Sequence, residues 1–224
     1  MKRGFTLIEI LISTAIFAIL TTLVFIDFAG QNNRTALSLA VQQMNTDLQD
    51  MLNNSQAGVV YSPISKPPLG YGLSITLDTA TPANNVGYTE FADVGTGTCS
   101  NSGSTACTMD STCTALGNPS ATCGSLVANS QYDGASELLQ AKRIPAKTIF
   151  NKISDATNTY TRLDLVYSLP GARLSAYGIS NGQPMAQITT PIHLQIKNSQ
   201  LVKCQELILV PGQPTITIQN IACS

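Results

Sequence analysis

The chain begins with its longest apolar run. After the basic head MKRG, the residues from Phe5 to Phe28 are mostly apolar and include no proline or glycine. At about 1.5 Å of rise per residue, a helix of this length reaches about 36 Å, enough to cross a hydrocarbon core of about 30 Å. Glu9 stands out, because a carboxylate inside a membrane is costly and therefore indicates a function. We predict a membrane-spanning helix over residues 5–28, preceded by a separate leader at residues 1–4.

The helical pattern continues past the apolar run. Between residues 29 and 57, apolar side chains recur at steps of three and four. They are Leu37, Val41, Met44, Leu48 and Met51 or Leu52. The spacing predicts one helix from Phe5 to about Ala57, with Gly58 ending it. The stripe is either a coiled-coil seam or a face that packs on the rest of the chain.

Residues 58–224 show strand patterns after a proline-rich linker at residues 59–68. The predicted strands are Leu69–Leu77, Tyr88–Asp93, Ser136–Ile144, Thr148–Ile153, Tyr160–Leu169, Arg173–Ile179, Met185–Lys197, Leu201–Val210 and Thr215–Ala222. Turn residues separate the last five strands at hairpin spacing, which predicts that these five form one antiparallel sheet. The predicted fold class is therefore α+β, with a long N-terminal helix and a β-rich head.

Six cysteines follow the helix, and an even number predicts disulfides in an oxidising compartment. Four of them lie within residues 94–129, which are too poor in apolar side chains to build a core. We predict a surface loop stapled by its own disulfides. Nested pairing, Cys99 with Cys123 and Cys107 with Cys113, is the simplest of the many connectivities that six cysteines allow.

The last hairpin allows a register argument for the other two cysteines. If residues 211–216 form its loop, Val210 lies opposite Thr217 and Cys204 lies opposite Cys223. Opposed antiparallel residues are about 4.5–5.5 Å apart at Cα, within the range that a disulfide needs. The register predicts a Cys204–Cys223 disulfide.

The sequence KRGFTLIE at residues 2–9 resembles the processing motif of type IV pilins and type II secretion pseudopilins. The resemblance implies that a prepilin peptidase cuts between Gly4 and Phe5 and N-methylates Phe5. It also implies a type IV pilin-like fold, in which the helix packs on an antiparallel β-sheet head rather than in a coiled-coil seam. The strand order after residue 129 is similar to that of minor pseudopilin heads with two small sheets.

Glu9 acquires a specific role in this setting. After the cut, Phe5 would carry a positively charged amine in an apolar environment, and Glu9 of a neighbouring subunit can neutralise it. We therefore expect Glu9 to set the axial offset between subunits during assembly. The alternative is an incidental acid that extends to the lipid headgroups.

Composition and charge limit the partners. The net charge is −1 and only 11% of residues are charged, which gives no support to a nucleic-acid partner. Lys2 and Arg3 predict a cytoplasmic N-terminus and a head outside the membrane. The expected partners are the prepilin peptidase, other pilin or pseudopilin subunits, the inner-membrane assembly platform and, before assembly, membrane lipid.

Catalytic and metal chemistry find little support in the sequence. His193, the single histidine, lies between apolar neighbours in a strand pattern and is expected to face solvent, without a second group to complete a triad. Asp93 and Asp110 are too few and too scattered for a calcium site. Asp155 and Asp164 are expected to be ordinary surface acids. We therefore expect no metal, no cofactor and no enzymatic activity.

The sequence thus predicts a structural subunit of a type IV pilus or of a type II secretion pseudopilus. The long irregular segment at residues 94–129 suits a specialised position, which favours a minor subunit. The alternatives are a major pilin of a surface filament, or a minor pilin that binds a ligand through its head as an adhesin or in DNA uptake. The segment contains no lysine, arginine or aromatic residue, which disfavours DNA.

Overall fold

The computed structural model describes residues 7–61, 68–95, 97–100, 102–107, 113–114, 121, 123–124, 129–180, 183–201 and 203–223. For residues 23–30, 98 and 102–106 it describes the backbone only. Helix α1 is Leu7–Ala57, and a short 3-10 helix is Pro82–Asn84. The strands are β1 (Gly70–Thr76), β2 (Gly87–Asp93), β3 (Gly97–Cys99), β4 (Ser102–Cys107), β5 (Leu138–Arg143), β6 (Thr148–Ser154), β7 (Thr159–Tyr160), β8 (Arg162–Ser168), β9 (Arg173–Ile179), β10 (Ala186–Ile188), β11 (Ile192–Asn198), β12 (Lys203–Leu209) and β13 (Ile216–Ala222).

Helix α1 ends where the sequence predicts. Gly58 follows the last helical residue at a φ of 60°, a left-handed conformation that glycine adopts without steric cost. The Val59 N–H then donates to the Asn54 carbonyl oxygen at 3.2 Å, which satisfies one of the last free carbonyls of the helix. The predicted helix is confirmed from Leu7 to Ala57, a length of 51 residues.

The strands form two main sheets and a small hairpin. The six-stranded sheet has the order β10-β9-β8-β1-β2-β5, the five-stranded sheet the order β13-β12-β11-β6-β7, and β3 pairs with β4. The prediction that the last five strands share one sheet is wrong. The pattern at 185–197 is divided into β10 and β11, which join different sheets. Pro191 lies in the break and cannot donate a hydrogen bond to a ladder.

The predicted helical stripe faces the core of the head. Its members are 8% exposed or less: Leu37, Val41, Met44, Leu48, Met51 and Leu52. The helix contacts β1 and β8 of the six-stranded sheet and β6, β11 and β12 of the five-stranded sheet. Each fully buried aliphatic side chain contributes about 1.5–3 kcal/mol relative to exposure. The stripe is therefore the face on which the chain's own sheets pack, as the resemblance implies.

The cysteine-rich segment differs from its prediction in two ways. It contains the β3–β4 hairpin, and its disulfides are Cys99–Cys113 and Cys107–Cys123, with Cα atoms 5.3 and 5.8 Å apart. The nested pairing is wrong. The hairpin brings Cys107 opposite Gly97, close to Cys99, and the sulfurs of Cys99, Cys107 and Cys113 gather within 4.8 Å of one another. The directions of the cysteine side chains within this cluster then decide which disulfides form. The order of the cysteines along the chain does not indicate these directions.

The Cys204–Cys223 disulfide is present, with the two Cα atoms 5.0 Å apart. The register predicted for the hairpin is wrong by two residues, because Cys204 lies opposite Ile221. The loop occupies residues 210–215 instead of 211–216, and moving a loop by one residue changes each pairing by two. Cys223 lies two residues beyond the residue opposite Cys204 and just past the end of β13, and its Cα is nevertheless within the range that a disulfide needs.

Candidate functional site

The first part of α1 exposes an unusual amount of apolar surface. Nine large apolar side chains between residues 7 and 20 are 52–82% exposed: Leu7, Ile8, Ile10, Leu11, Ile12, Ile16, Phe17, Ile19 and Leu20. An apolar patch of this extent marks a surface that another apolar partner covers. Within the part of the chain that the structure describes, no helix is both long enough and apolar enough to cross a membrane.

Among the α1 side chains that the structure describes, Asn33 is the first one that is buried, with 8% of it exposed. The Asn33 side-chain amide donates to Gln200 Oε1 at 2.9 Å, and the Asn198 amide donates to the Asn33 carbonyl oxygen at 3.2 Å. Both partners lie at the turn between β11 and β12. Residues 7–32, which we term the projecting segment, precede this contact and reach about 39 Å at 1.5 Å per residue.

Asn33 is not among the residues that the sequence predicts to have a role. A usable signal exists, because the polar run Gln31-Asn32-Asn33 begins three residues after the apolar run ends at Phe28. Such a change of composition marks the boundary between two environments along one helix.

A buried polar network fixes the opposite half of α1 on the six-stranded sheet. Lys142 Nζ on β5 lies 2.7 Å from Asp47 Oδ1 on α1 and 2.5 Å from Glu90 Oε1 on β2. The Tyr88 hydroxyl donates to the other oxygen of Asp47. Burial raises the pKa of Glu90 and, together with the hydrogen bond to Asp47, the pKa of Tyr88. Toward the end of the helix, Ser55 Oγ donates to the Tyr167 carbonyl oxygen at 2.8 Å.

Glu9 lies on the projecting segment and is exposed. Its carbonyl oxygen accepts a hydrogen bond from Ser13 Oγ at 2.7 Å, and Thr21 Oγ1 bonds in the same way to the Phe17 carbonyl oxygen at 2.6 Å. These hydroxyl groups are satisfied by their own helix and therefore do not interrupt the apolar surface. The predicted processing residues, Gly4 and Phe5, lie outside the described residues.

Two buried carboxylates fasten both ends of the cysteine-rich segment, a role that the sequence predicted for neither of them. Asp93 is fully buried and accepts hydrogen bonds from the Gly95 N–H at 2.8 Å and the Ser130 N–H at 2.9 Å. Glu137 is also fully buried and accepts from the Val94 and Asp133 N–H groups at 3.2 and 2.8 Å. Burial raises the pKa of Glu137 to about 7. The two side chains thus act as a clamp at the base of this segment.

Asp93 and His193, which the sequence offered as a metal ligand and as a catalytic group, both have partners in the head. Both oxygens of Asp93 are occupied by the backbone, and Asp110 lies outside the described residues. Among the described residues, the cluster with potential metal ligands consists of disulfide-bonded cysteines. His193 is partly exposed and its Nδ1 lies 3.1 Å from Glu206 Oε2, so the prediction that it faces solvent is only partly right.

Asp164 and Asp155 depart from the expectation of ordinary surface acids to different degrees. Asp164 is fully buried, where it accepts from Ser74 Oγ at 2.6 Å and pairs with Arg162 Nη2 at 2.7 Å. That expectation is wrong for Asp164, because Ser74 of the neighbouring strand β1 and Arg162 of its own strand β8 supply its partners. Asp155 accepts a hydrogen bond from the Thr157 N–H at 2.7 Å. Partial burial raises the pKa of Asp155, but this and similar hydrogen bonds outweigh burial, so the pKa is lowered.

The comparisons with known proteins bear on the N-terminus. Residues 1–25 match the family model of the prokaryotic N-terminal methylation motif. This motif is the signature of type IV pilins and pseudopilins, so the resemblance is confirmed for these residues. No curated protein and no solved structure matches the chain.

Proposed function

We propose that this chain is a pilin-like structural subunit that is assembled through its N-terminal helix into a type IV pilus or a type II secretion pseudopilus. The observation that carries the proposal is the projecting segment, whose exposed apolar side chains directly follow the start of the methylation motif. This surface needs an apolar environment, which membrane lipid supplies before assembly and the helices of other subunits supply afterwards.

Processing precedes assembly in this proposal. A prepilin peptidase removes residues 1–4 by cutting between Gly4 and Phe5, and Phe5 is N-methylated. The basic leader remains on the cytoplasmic side, residues 5–28 anchor the subunit in the cytoplasmic membrane, and the head lies outside. Disulfides in the head agree with an oxidising compartment.

Glu9 then selects the position of the incoming subunit. The amine of Phe5 and the carboxylate of Glu9 on a neighbour are both unfavourable in an apolar filament core when separated, and each lowers the cost of the other when they meet. The inner-membrane assembly platform would present subunits for this contact. The proposed role is structural, and the chain itself catalyses no reaction in it.

Substitution of Glu9 tests the proposal. We expect Glu9→Ala to be inserted and processed normally but poorly incorporated into filaments. Ser13→Ala is the matched control, since Ser13 lies one turn further along the same exposed segment and its hydroxyl bonds to its own helix. The measurement is the fraction of each variant in sheared filaments relative to the membrane. Normal incorporation of Glu9→Ala would contradict the assembly role.

We further propose that the chain is a minor subunit. The cysteine-rich excursion between Val94 and Ser130 is held rigidly at its base by Asp93 and Glu137, which suits a specialised position more than close lateral packing along a whole shaft. Immunogold labelling of sheared filaments distinguishes the two roles. Sparse label, or label confined to the envelope, is expected, whereas label along the whole shaft would make this chain a major pilin.

A further inference from the structure

The six-stranded sheet carries a groove on the face that points away from α1. Leu73 and Ile75 of β1 belong to the core beneath the helix, so the alternate residues Ser74 and Thr76 lie on the opposite face. The groove crosses β5, β2, β1 and β8 and encloses about 440 Å³. Tyr132, from the segment before β5, forms part of its wall.

The strand register places two arginines at opposite ends of this groove. Arg143 of β5 lies opposite Gly87 of β2, and Thr76 of β1 lies opposite Arg162 of β8. Because neighbouring strands are about 4.8 Å apart, three spacings separate the two arginine Cα atoms by about 14 Å. A Cβ on Gly87 would meet the Lys142 carbonyl oxygen at 2.9 Å, so a larger residue is disfavoured here. No side chain therefore fills the groove at this position.

The second row of the floor also consists of small side chains. Ala141 lies opposite Thr89, and Thr89 lies opposite Ser74. The floor between the arginines is therefore low and carries hydroxyl groups, which donate and accept hydrogen bonds. Such a surface can hold a ligand rich in hydroxyl groups.

Arg162 is held in place before any ligand arrives. Its Nε and Nη2 atoms lie 3.1 and 2.7 Å from the oxygens of buried Asp164, and Nη2 donates to the Tyr132 carbonyl oxygen at 2.5 Å. The guanidinium carbon lies 6.0 Å from the centre of the Tyr132 ring, which itself packs on Phe91 at 5.4 Å. Arg162 and Tyr132 thus form a rigid wall with an aromatic ring.

Arg143 is different, because it is exposed and takes no part in the ion pairs found among the described residues. Its neighbour Lys142 points to the other face of the sheet, where it pairs with Asp47 and Glu90. Among the described residues, no acidic residue lines the groove. One end of the groove therefore presents a cation whose charge is not neutralised there.

We propose that this groove binds a short acidic oligosaccharide, one whose sugars carry carboxylate groups. A uronate carboxylate accepts two parallel hydrogen bonds from the Arg143 guanidinium, a geometry that arginine favours. The hydroxyl groups of the sugars bond to Thr76 and Thr89, and the apolar face of one sugar ring lies against Tyr132. This attachment function goes beyond assembly and does not depend on it.

A nucleic acid suits the groove less well. Binding to a phosphate backbone depends on many lysine and arginine contacts, whereas this groove offers two guanidinium groups, and Asp164 neutralises one of them. The chain as a whole has a net charge of −1. We therefore place single-stranded DNA among the competing outcomes of the test.

The test uses the full-length chain in detergent micelles, titrated with short oligomers of galacturonic acid and, separately, with neutral galactose oligomers of equal length. Arg143→Gln is compared with Arg173→Gln, which removes the same charge from an exposed position on β9 outside the groove. We expect the acidic oligomers to bind more tightly than the neutral ones. Since a charged hydrogen-bonded pair is lost, Arg143→Gln should weaken binding about tenfold, and Arg173→Gln should leave it unchanged.

Several results would overturn the proposal. They are failure of the wild-type chain to bind the acidic oligomers, equal affinity of wild type and Arg143→Gln, and an equal loss in both glutamine variants. Tighter binding of single-stranded DNA of the same charge would assign the groove to a different ligand. Full affinity in Arg143→Lys would contradict the paired hydrogen bonds from a guanidinium.

Discussion

Lys142 is the residue whose loss should most clearly reveal how the helix is held on the six-stranded sheet. Its ammonium group lies between Asp47 on α1 and Glu90 on β2, at 2.7 and 2.5 Å. In Lys142→Met, the apolar stem is retained and the charge is removed, which leaves two carboxylates facing each other. Only about 7% of each carboxylate side chain is exposed, so water replaces the lost partner poorly.

The expected magnitude follows from this burial. Removing one partner of a buried ion pair costs about 3–5 kcal/mol, whereas an exposed pair is worth at most about 1 kcal/mol. The Lys142 side chain is 22% exposed, so the free-energy cost of removing it lies between these two values and closer to that of a buried pair. We expect Lys142→Met to lower the free energy of unfolding of the head by about 2–4 kcal/mol at pH 8.

The loss should depend on pH in a defined direction. Burial raises the pKa of Glu90, while Lys142 lowers it, so removing Lys142 raises this pKa further. The folded variant then binds a proton that the unfolded chain has already released, and its stability increases as the pH falls towards the unfolded pKa of 4.5. The difference from wild type should therefore be smaller at pH 5 than at pH 8.

Denaturant unfolding of the full chain in detergent micelles, followed by tyrosine circular dichroism, measures this effect. Lys203→Met is the matched control, because Lys203 is exposed on β12 and is absent from the ion pairs of the described residues. Equal stability of Lys142→Met and Lys203→Met at pH 8 would refute the reasoning. A loss that grows on acidification would refute the assignment to Glu90.

Two further substitutions test the core and the clamp. Met44→Ala removes a fully buried side chain from the helical stripe and should cost about 2–5 kcal/mol, whereas Leu39→Ala at a 50% exposed position of the same helix should cost less than about 0.5 kcal/mol. Equal losses in denaturant unfolding would argue against packing of the stripe on the sheets. Because the pKa of Glu137 is raised from 4.5 to about 7, wild-type stability should fall as the pH rises between these values, and Glu137→Gln should flatten that part of the profile. An unchanged slope in unfolding experiments across this pH range would show that Glu137 is not the group responsible.

Local periodicity predicts the helix and most strands of this chain because each depends on near neighbours. The steps of three and four from Leu37 to Leu52 define one buried face, and Gly58 supplies the left-handed residue that ends the helix. The division at Thr189–Pro191 was also visible in principle, since a proline interrupts the strand pattern there. The periodicity does not indicate which sheet each of the two strands beside that break joins.

The buried polar residues could not be predicted in the same way. A charged residue in a strand pattern is normally exposed, and only distant partners make burial tolerable. Asp164 needs Ser74 from β1, and Glu137 needs the backbone of Val94 and Asp133. The crossed disulfides are a similar case, because their pairing depends on side-chain directions within a cluster that forms only when the head folds.

The central claim is that this chain is a processed, pilin-like subunit, and the intact mass of the protein recovered from native envelopes and sheared filaments tests it most directly. We predict a mass that lacks Met1 to Gly4 and gains one methyl group, with fragment ions placing that methyl on the amine of Phe5. A protein that retains its first four residues in these fractions, or that is cut at another position, would contradict the account.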